Sequence, residues 1–199
     1  MDNRLILASA SPRRDELLKT LAIPFEVVPS LVEETRVDGE SPSQAAIRLA
    51  ELKAREVRGR YPGRIILAAD TIVVLDGQML GKPKDIGDAR EMLSRLSGRL
   101  HVVITGFCLI DGSSDREIAR AVATEVKMKR ISAAELEGYL SSGEPLDKAG
   151  AYAIQGTGAF LVEAITGSYS NVVGLPLAEV CEELKQLGVY PFADRGGHC

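Results

Sequence analysis

Asp70 interrupts an apolar run: Ile65–Ala69 precede it and, after Thr71, Ile72–Leu75 follow. This stretch reads as strand, and period-two alternation puts Asp70 on the face of Ile66, Ala68, Ile72 and Val74. A carboxylate buried there is costly unless it is paired, holds a metal or opens onto a cleft. Asp70 is therefore a candidate general base, the alternative being a structural Asp that accepts backbone amides at a strand end. Lys53 is the second misfit. In a helix beginning at Pro42, Ala46, Leu49, Ala50 and Val57 form an apolar stripe with Lys53 near its centre, while Arg48, Glu51 and Arg55 fall opposite. Either Lys53 snorkels out of the core or its ammonium reaches an anion in a cleft.

Three further segments carry charge or backbone freedom. Ser11-Pro12-Arg13-Arg14 places two arginines in the first turn of a helix, against the dipole. A phosphate bound there would reverse that penalty; two solvated arginines are the plain alternative. Gly81-Lys82-Pro83-Lys84 is a cationic turn or simply a solvated loop. Gly143–Gly158 is glycine-rich, with Asp147, Lys148 and Gln155 as polar residues. Its Gly156-Thr157-Gly158 matches only the opening of a dinucleotide fingerprint. His101 and His198 lack ligand spacing, and Cys108, Cys181 and Cys199 fit neither a disulfide framework nor a zinc set. No Walker loop, G-x-S-x-G elbow or H-E-x-x-H is present. Cations from Arg13/Arg14, Lys53, Lys82 and Lys148, with carboxylates from Glu33/Glu34 and Asp70, suit a polyphosphate accompanied by a divalent metal.

Alternating strands and helices must position these groups. Leu5–Ser9 reads as strand, and Ser11 caps a helix running to about Leu21 with Pro12 at its first position. Phe25–Pro29 is a short strand, and Ser41…Gln44 is a capping box opening a helix to about Arg58. Asp76-Gly77 and Asp111-Gly112 are hairpin turns, the second between Val102–Ile110 and Ile118–Ile131. Helices follow over Asp85–Leu96, from Ser132 to about Leu140, and over Pro176–Leu187. Gly143–Gly158 reads as loop and Ala159–Ile165 as strand. Hairpins combined with strand–helix units point to an α/β fold with a mixed sheet.

The chain has 199 residues, 24 Lys+Arg against 28 Asp+Glu and a net charge of −4. Without a basic tract it is a poor match for grip on nucleic-acid polymer. Its apolar runs fall far short of the roughly 18 residues of a membrane helix, and no signal peptide is visible, so a cytoplasmic protein is expected. With no repeat or linker, one domain over residues 1–192 and a frayed tail, Ala193–Cys199, are expected.

These segments resemble the Maf family of nucleoside triphosphate pyrophosphatases over roughly Leu5 to Leu187. The markers are Ala8-Ser9-Ala10-Ser11-Pro12-Arg13-Arg14, Ala69-Asp70-Thr71-Ile72-Val73 with Gly81-Lys82-Pro83, and Gly167-Ser168-Tyr169-Ser170-Asn171-Val172-Val173-Gly174-Leu175-Pro176. The Gly143–Gly156 stretch resembles the branch acting on dTTP and UTP rather than on 7-methyl-GTP. Only Ala10, where glycine is common, departs from the first motif.

The resemblance implies cleavage between the α and β phosphates, to a monophosphate and pyrophosphate, with Mg²⁺ or Mn²⁺. It implies a mixed central sheet flanked by helices and two lobes around a cleft, similar to inosine-triphosphate pyrophosphatases, and suggests a homodimer. By position, Asp70 is the proton acceptor for water. Ser9, Arg13, Arg14, Lys53 and Lys82 bind phosphates, Glu34 and Asp70 hold metal, and Arg13, Thr71 and Gln155 bear on base choice. Gln155 offers a donor and an acceptor to the edge of uracil or thymine. Two alternatives stand beside this reading: the same chemistry on 7-methyl-GTP or another modified nucleotide, and a nucleotide-sensing regulator of septum formation.

Overall fold

Short apolar runs, each closed by a capping or turn signal, fold into an α/β arrangement. The computed structural model describes residues 5–35, 37–114 and 116–192; the expected frayed tail, with His198 and Cys199, lies outside them. The elements are β1 (Leu5–Leu7), α1 (Pro12–Lys19), β2 (Phe25–Val27), α2 (Pro42–Arg60), β3 (Ile65–Leu75), β4 (Gln78–Leu80), α3 (Ile86–Leu96) and β5 (Leu100–Asp111). They continue with β6 (Arg116–Met128), α4 (Ala133–Ser141), β7 (Val162–Thr166), α5 (Tyr169–Val173) and α6 (Leu177–Gln186). Both capping boxes form: Ser41 with Gln44 opens α2, and Ser132 with Glu135 opens α4.

One sheet runs in the order β2-β1-β3-β5-β6-β7, with β4 on β3. It is mixed, as expected. Strand β1 pairs parallel with β2 and β3, while β3–β4 and β6–β7 are antiparallel. Three segments differ from expectation. The Gly143–Gly158 loop contains short 3₁₀ turns at Glu144–Asp147 and Ala149–Ala151, and a third runs over Gly156–Leu161. That third turn takes the first residues of the strand expected from Ala159, so β7 begins only at Val162. Helix α5 was not foreseen.

The chain forms two compact units. The first comprises Met1–Asp70, Thr105–Val122 and Gly174–Cys199, and the second Thr71–Ile104 and Ala123–Val173. In the first unit the alternation of β1 and β3 sorts side chains to two cores. Leu5, Leu7, Ile65, Leu67 and Ala69 pack with Leu18 of α1 and Val180 and Leu184 of α6. Ile6, Ala8, Ile66 and Ala68 pack with Ala50, Ala54 and Val57 of α2. The sheet is thus covered by helices on both faces, which is why its strands read as nearly continuous apolar runs.

Helix α2 approaches β5 closely at Gly106. A Cβ on that residue would lie 2.3 Å from the backbone carbon and oxygen of Ala46 and 2.6 Å from the nitrogen of Ile47. Any side chain there would displace the helix. The second unit has its own core, in which Val73, Leu93, Val126, Met128, Tyr139 and Leu161 are buried together.

Candidate active site

Strand β3 outruns β1, and that difference in length builds the site. Leu7, the last residue of β1, pairs with Leu67, and the Ala8 N–H donates to the Leu67 carbonyl at 2.7 Å. Ser9 and the start of α1 therefore leave the sheet while β3 continues to Asp70. The chain passes from β1 to β2 on one side and later to β3 on the other, so this is a topological switch point. Open α/β sheets bind ligands beyond the carboxyl ends of their strands at such points.

Asp70 continues the series Ile66, Ala68 on the face covered by α2, and is 7% exposed. Lys53, in the apolar stripe of α2, is 9% exposed and meets it there. Its Nζ donates to Asp70 Oδ1 at 2.6 Å and to Glu34 Oε1 at 2.5 Å. The period-two argument for the strand and the 3.6-residue argument for the helix thus converge on one ion pair. Burial pushes the Asp70 carboxyl above the usual carboxylate range, against the opposing pull of Lys53 and Arg14.

The β1–α1 connection adds cationic and hydroxyl groups. Ser9 Oγ, buried, accepts from the Ser11 N–H at 3.1 Å and from Arg14 Nη1 at 3.3 Å. Arg14 Nε donates to the Gly174 carbonyl at 2.8 Å, which fixes the guanidinium from its far side. Burial lowers the Arg14 pKa, and the Asp70 and Glu34 carboxylates oppose that shift. The helix α1 begins at Pro12 with no side-chain cap from Ser11. Arg13 and Arg14 lie in its first turn.

Glu34 sits on a segment without regular structure, and its side chain is half exposed. Side chains of α2 tie that segment at both ends. Arg60 donates to the Pro29 carbonyl at 2.8 Å, and Glu56 accepts from the Leu31 N–H at 3.1 Å. Arg48 grips Glu40 with two 2.8 Å bonds and donates to the Thr35 carbonyl at 3.1 Å. Sequence reasoning had turned Arg48 toward solvent. The signal that would have found it is Glu40, one residue ahead of the Ser41 cap and eight ahead of Arg48.

The structure therefore brings Ser9, Arg14, Glu34, Lys53 and Asp70 together in the first unit, with Arg13 in the same turn as Arg14. Thr71, half-buried, follows Asp70 along β3. Lys82, exposed after β4, and Gln155, half-buried, belong to the second unit. Lys148, a candidate cation from its type, is committed locally. Its Nζ donates to the Glu144 carbonyl at 2.7 Å and to Asp147 Oδ1 at 2.5 Å. Cys108 is buried and its thiol is pushed upward chiefly by that burial, which suits a packing residue rather than a nucleophile.

Glu34 and Asp70 are hard oxygen donors that already share one cation. Among the described residues no three His, Cys, Asp or Glu side chains converge to hold an ion by themselves. Two carboxylates fit Mg²⁺ or Mn²⁺ of the kind whose shell is completed by substrate phosphates and water.

The chain is similar to curated proteins along nearly all of its length. A protein named dTTP/UTP pyrophosphatase from Syntrophotalea carbinolica is 53% identical over 189 residues, covering 94% of this chain and 86% of that one. One of the same name from Syntrophus aciditrophicus is 49% identical over 202 residues, covering 100% and 98%. The solved Ham1 protein of Staphylococcus aureus overlays 62% of this chain and 71% of its own at 16% identity, with a TM-score of 0.43, too low to bear on the fold. Residues 4–187 match the family described as Maf-like protein, and the chain belongs to that family.

Proposed function

We propose that this chain is a nucleoside triphosphate pyrophosphatase that hydrolyses dTTP and UTP to the monophosphate and pyrophosphate. The names of its relatives support the substrates. The chemistry is supported above all by one observation: a buried carboxylate, Asp70, held by Lys53 at 2.6 Å and within the electrostatic reach of the Arg14 guanidinium.

A triphosphate carries about four negative charges, so attack by water needs charge neutralisation before a base is of use. Ser9, Arg13, Arg14 and Lys53 bind and orient the phosphates, and Lys82 adds a further cation. Oδ1 of Asp70 is engaged by Lys53, so the proton of the attacking water goes to Oδ2. A base whose pKa lies nearer to neutrality than that of an ordinary carboxylate takes that proton more readily. Glu34 and Asp70 would hold the divalent cation. When bound, that ion supplies neutralisation of the phosphoryl oxygens in the transition state. Gln155 reads the base edge with its carboxamide: uracil and thymine present two carbonyls and an N–H, while cytosine replaces one carbonyl with an amine. The extra methyl of thymine is worth only about 1–3 kcal/mol in a pocket, so dTTP and UTP are both accepted.

The test is pyrophosphate release from dTTP, UTP, CTP and 7-methyl-GTP by the purified protein with Mg²⁺ or Mn²⁺. Preference for dTTP and UTP is expected. Equal use of CTP would remove the role of Gln155, a preference for 7-methyl-GTP would move the chain to the other branch, and binding without turnover would make it a nucleotide sensor.

A further inference from the structure

Gln155 stands immediately before Gly156-Thr157-Gly158, and the structure gives that turn an unusual anchor. Glu144 Oε2 accepts from the Thr157 N–H at 3.0 Å, and Oε1 accepts from the Gly158 N–H at 3.0 Å. The same Oε1 accepts from the Tyr139 hydroxyl, also at 3.0 Å. Tyr139 belongs to α4 and is 2% exposed, and its ring meets that of Phe160 edge-on at 6.3 Å. One carboxylate thus joins α4 to the start of the 3₁₀ turn that follows Gln155. The fit is tight. A Cβ at Gly158 would come within 2.6 Å of the Tyr139 hydroxyl and 3.1 Å of Glu144 Oε1. From the other side, Lys148 holds the Glu144 carbonyl, so backbone and side chain of Glu144 are both tethered.

We propose that Glu144 is a positioning residue for base recognition: its carboxylate clamps the two amides after Gln155 and so fixes where the Gln155 carboxamide stands. Three donors converge on two acceptor oxygens, and only an ionised carboxylate satisfies them all. A carboxamide in its place keeps the shape but turns an N–H₂ toward an N–H or O–H, leaving at least one donor unpaired. Discrimination between hydrogen-bonding edges depends on donors and acceptors being held in place, because the penalty falls on groups left without partners. The Glu144 carboxylate is spent on protein donors, the Tyr139 hydroxyl and the Thr157 and Gly158 amides. Its loss acts on the choice of base more than on hydrolysis itself.

This inference rests on the pyrimidine triphosphatase reading, and the experiment separates the two. For the parent and for Glu144→Gln, kcat/KM is measured with UTP and CTP, and amide hydrogen exchange is followed at Thr157 and Gly158. Expected in the variant are a UTP:CTP ratio lower by about tenfold, a kcat for UTP within about threefold of the parent, and faster exchange at both amides. Glu144→Asp, a shorter carboxylate, should recover part of the ratio. A parent inert toward both triphosphates overturns the functional reading and this inference with it. An active, discriminating parent whose Glu144→Gln form discriminates equally well overturns this inference alone. So does unchanged exchange at the two amides.

Discussion

Lys53→Met isolates the ion pair, because methionine keeps most of the buried methylene length while removing the ammonium. Asp70 then remains buried without its nearest cation. Breaking a buried pair by deleting one partner costs about 3–5 kcal/mol. Two features reduce that here: Arg14 still acts on Asp70 through space, and the Glu34 side chain is 50% exposed and can turn to water. A cost at or just below the bottom of that range, about 2–3 kcal/mol, is therefore expected. For a chain of this size it corresponds to a fall in Tm of about 4–12 °C. The pH dependence has a definite sign. Burial already holds the Asp70 pKa above its unfolded value, and removing Lys53 raises it further. The folded state then binds that proton more tightly than the unfolded state does. Stability relative to the parent is thus lost as pH rises through the folded pKa and recovered on acidification toward the unfolded carboxylate range. Urea unfolding of parent, Lys53→Met, Asp70→Asn and the double variant, near neutral and at mildly acid pH, measures this. In the Asp70→Asn background the cost of Lys53→Met should shrink by more than about 1 kcal/mol. An equal cost in both backgrounds, or one that grows on acidification, would show that the Lys53 ammonium does not act through Asp70.

Asp70→Asn should lower kcat for UTP by about 10²–10⁴ while leaving the fold intact, since shape is kept while basicity and charge are lost; comparison of turnover with circular dichroism melting checks both halves. Arg48→Gln releases Glu40 and the Thr35 carbonyl beside Glu34, and the divalent-ion concentration giving half-maximal rate should rise several-fold. An unchanged ion requirement, read from a metal titration, would mean that the α2 tether does not serve Glu34.

The inward faces of Asp70 and Lys53 were legible because both lie in regular elements, where periodicity assigns a face to each residue; that the two meet was not, because it depends on how α2 packs on the sheet. The helix starts were legible because their signals are local: the Ser41–Gln44 capping box for α2 and Pro12 at the first position of α1, where the Ser11 side chain makes no cap. The Arg48 tether was not, because its partners sit in a segment with no period and the hydrogen bonds span 8 and 13 residues. Helix α5 escaped for another reason. Its five residues include two valines and no strong helix former, and tertiary bonds hold it: Asn171 Nδ2 donates to the Val103 carbonyl and Thr124 Oγ1, and the Ser168 N–H donates to Thr124 Oγ1. The Gln155 segment looked like free loop because glycine signals freedom in a sequence, whereas here the glycines make room for Glu144 and Tyr139.

The contact between Gly106 and α2 makes the helix a lever. Ala46 rests on Gly106, and Lys53 lies seven residues on, about 10.5 Å along the axis and on nearly the same face. Rotation about that fulcrum moves the ammonium relative to Asp70, and any methyl group at position 106 supplies such a rotation. Neighbouring aliphatic contacts of α2 can be absorbed by a change of rotamer, but a backbone-to-backbone contact has no rotamer to change. A mutational scan scored on turnover alone would therefore rank residue 106 among the reacting groups, although it has no functional group to offer. Position in such a scan reports mechanical gain as well as chemistry, and in this fold the two are separated by two turns of one helix.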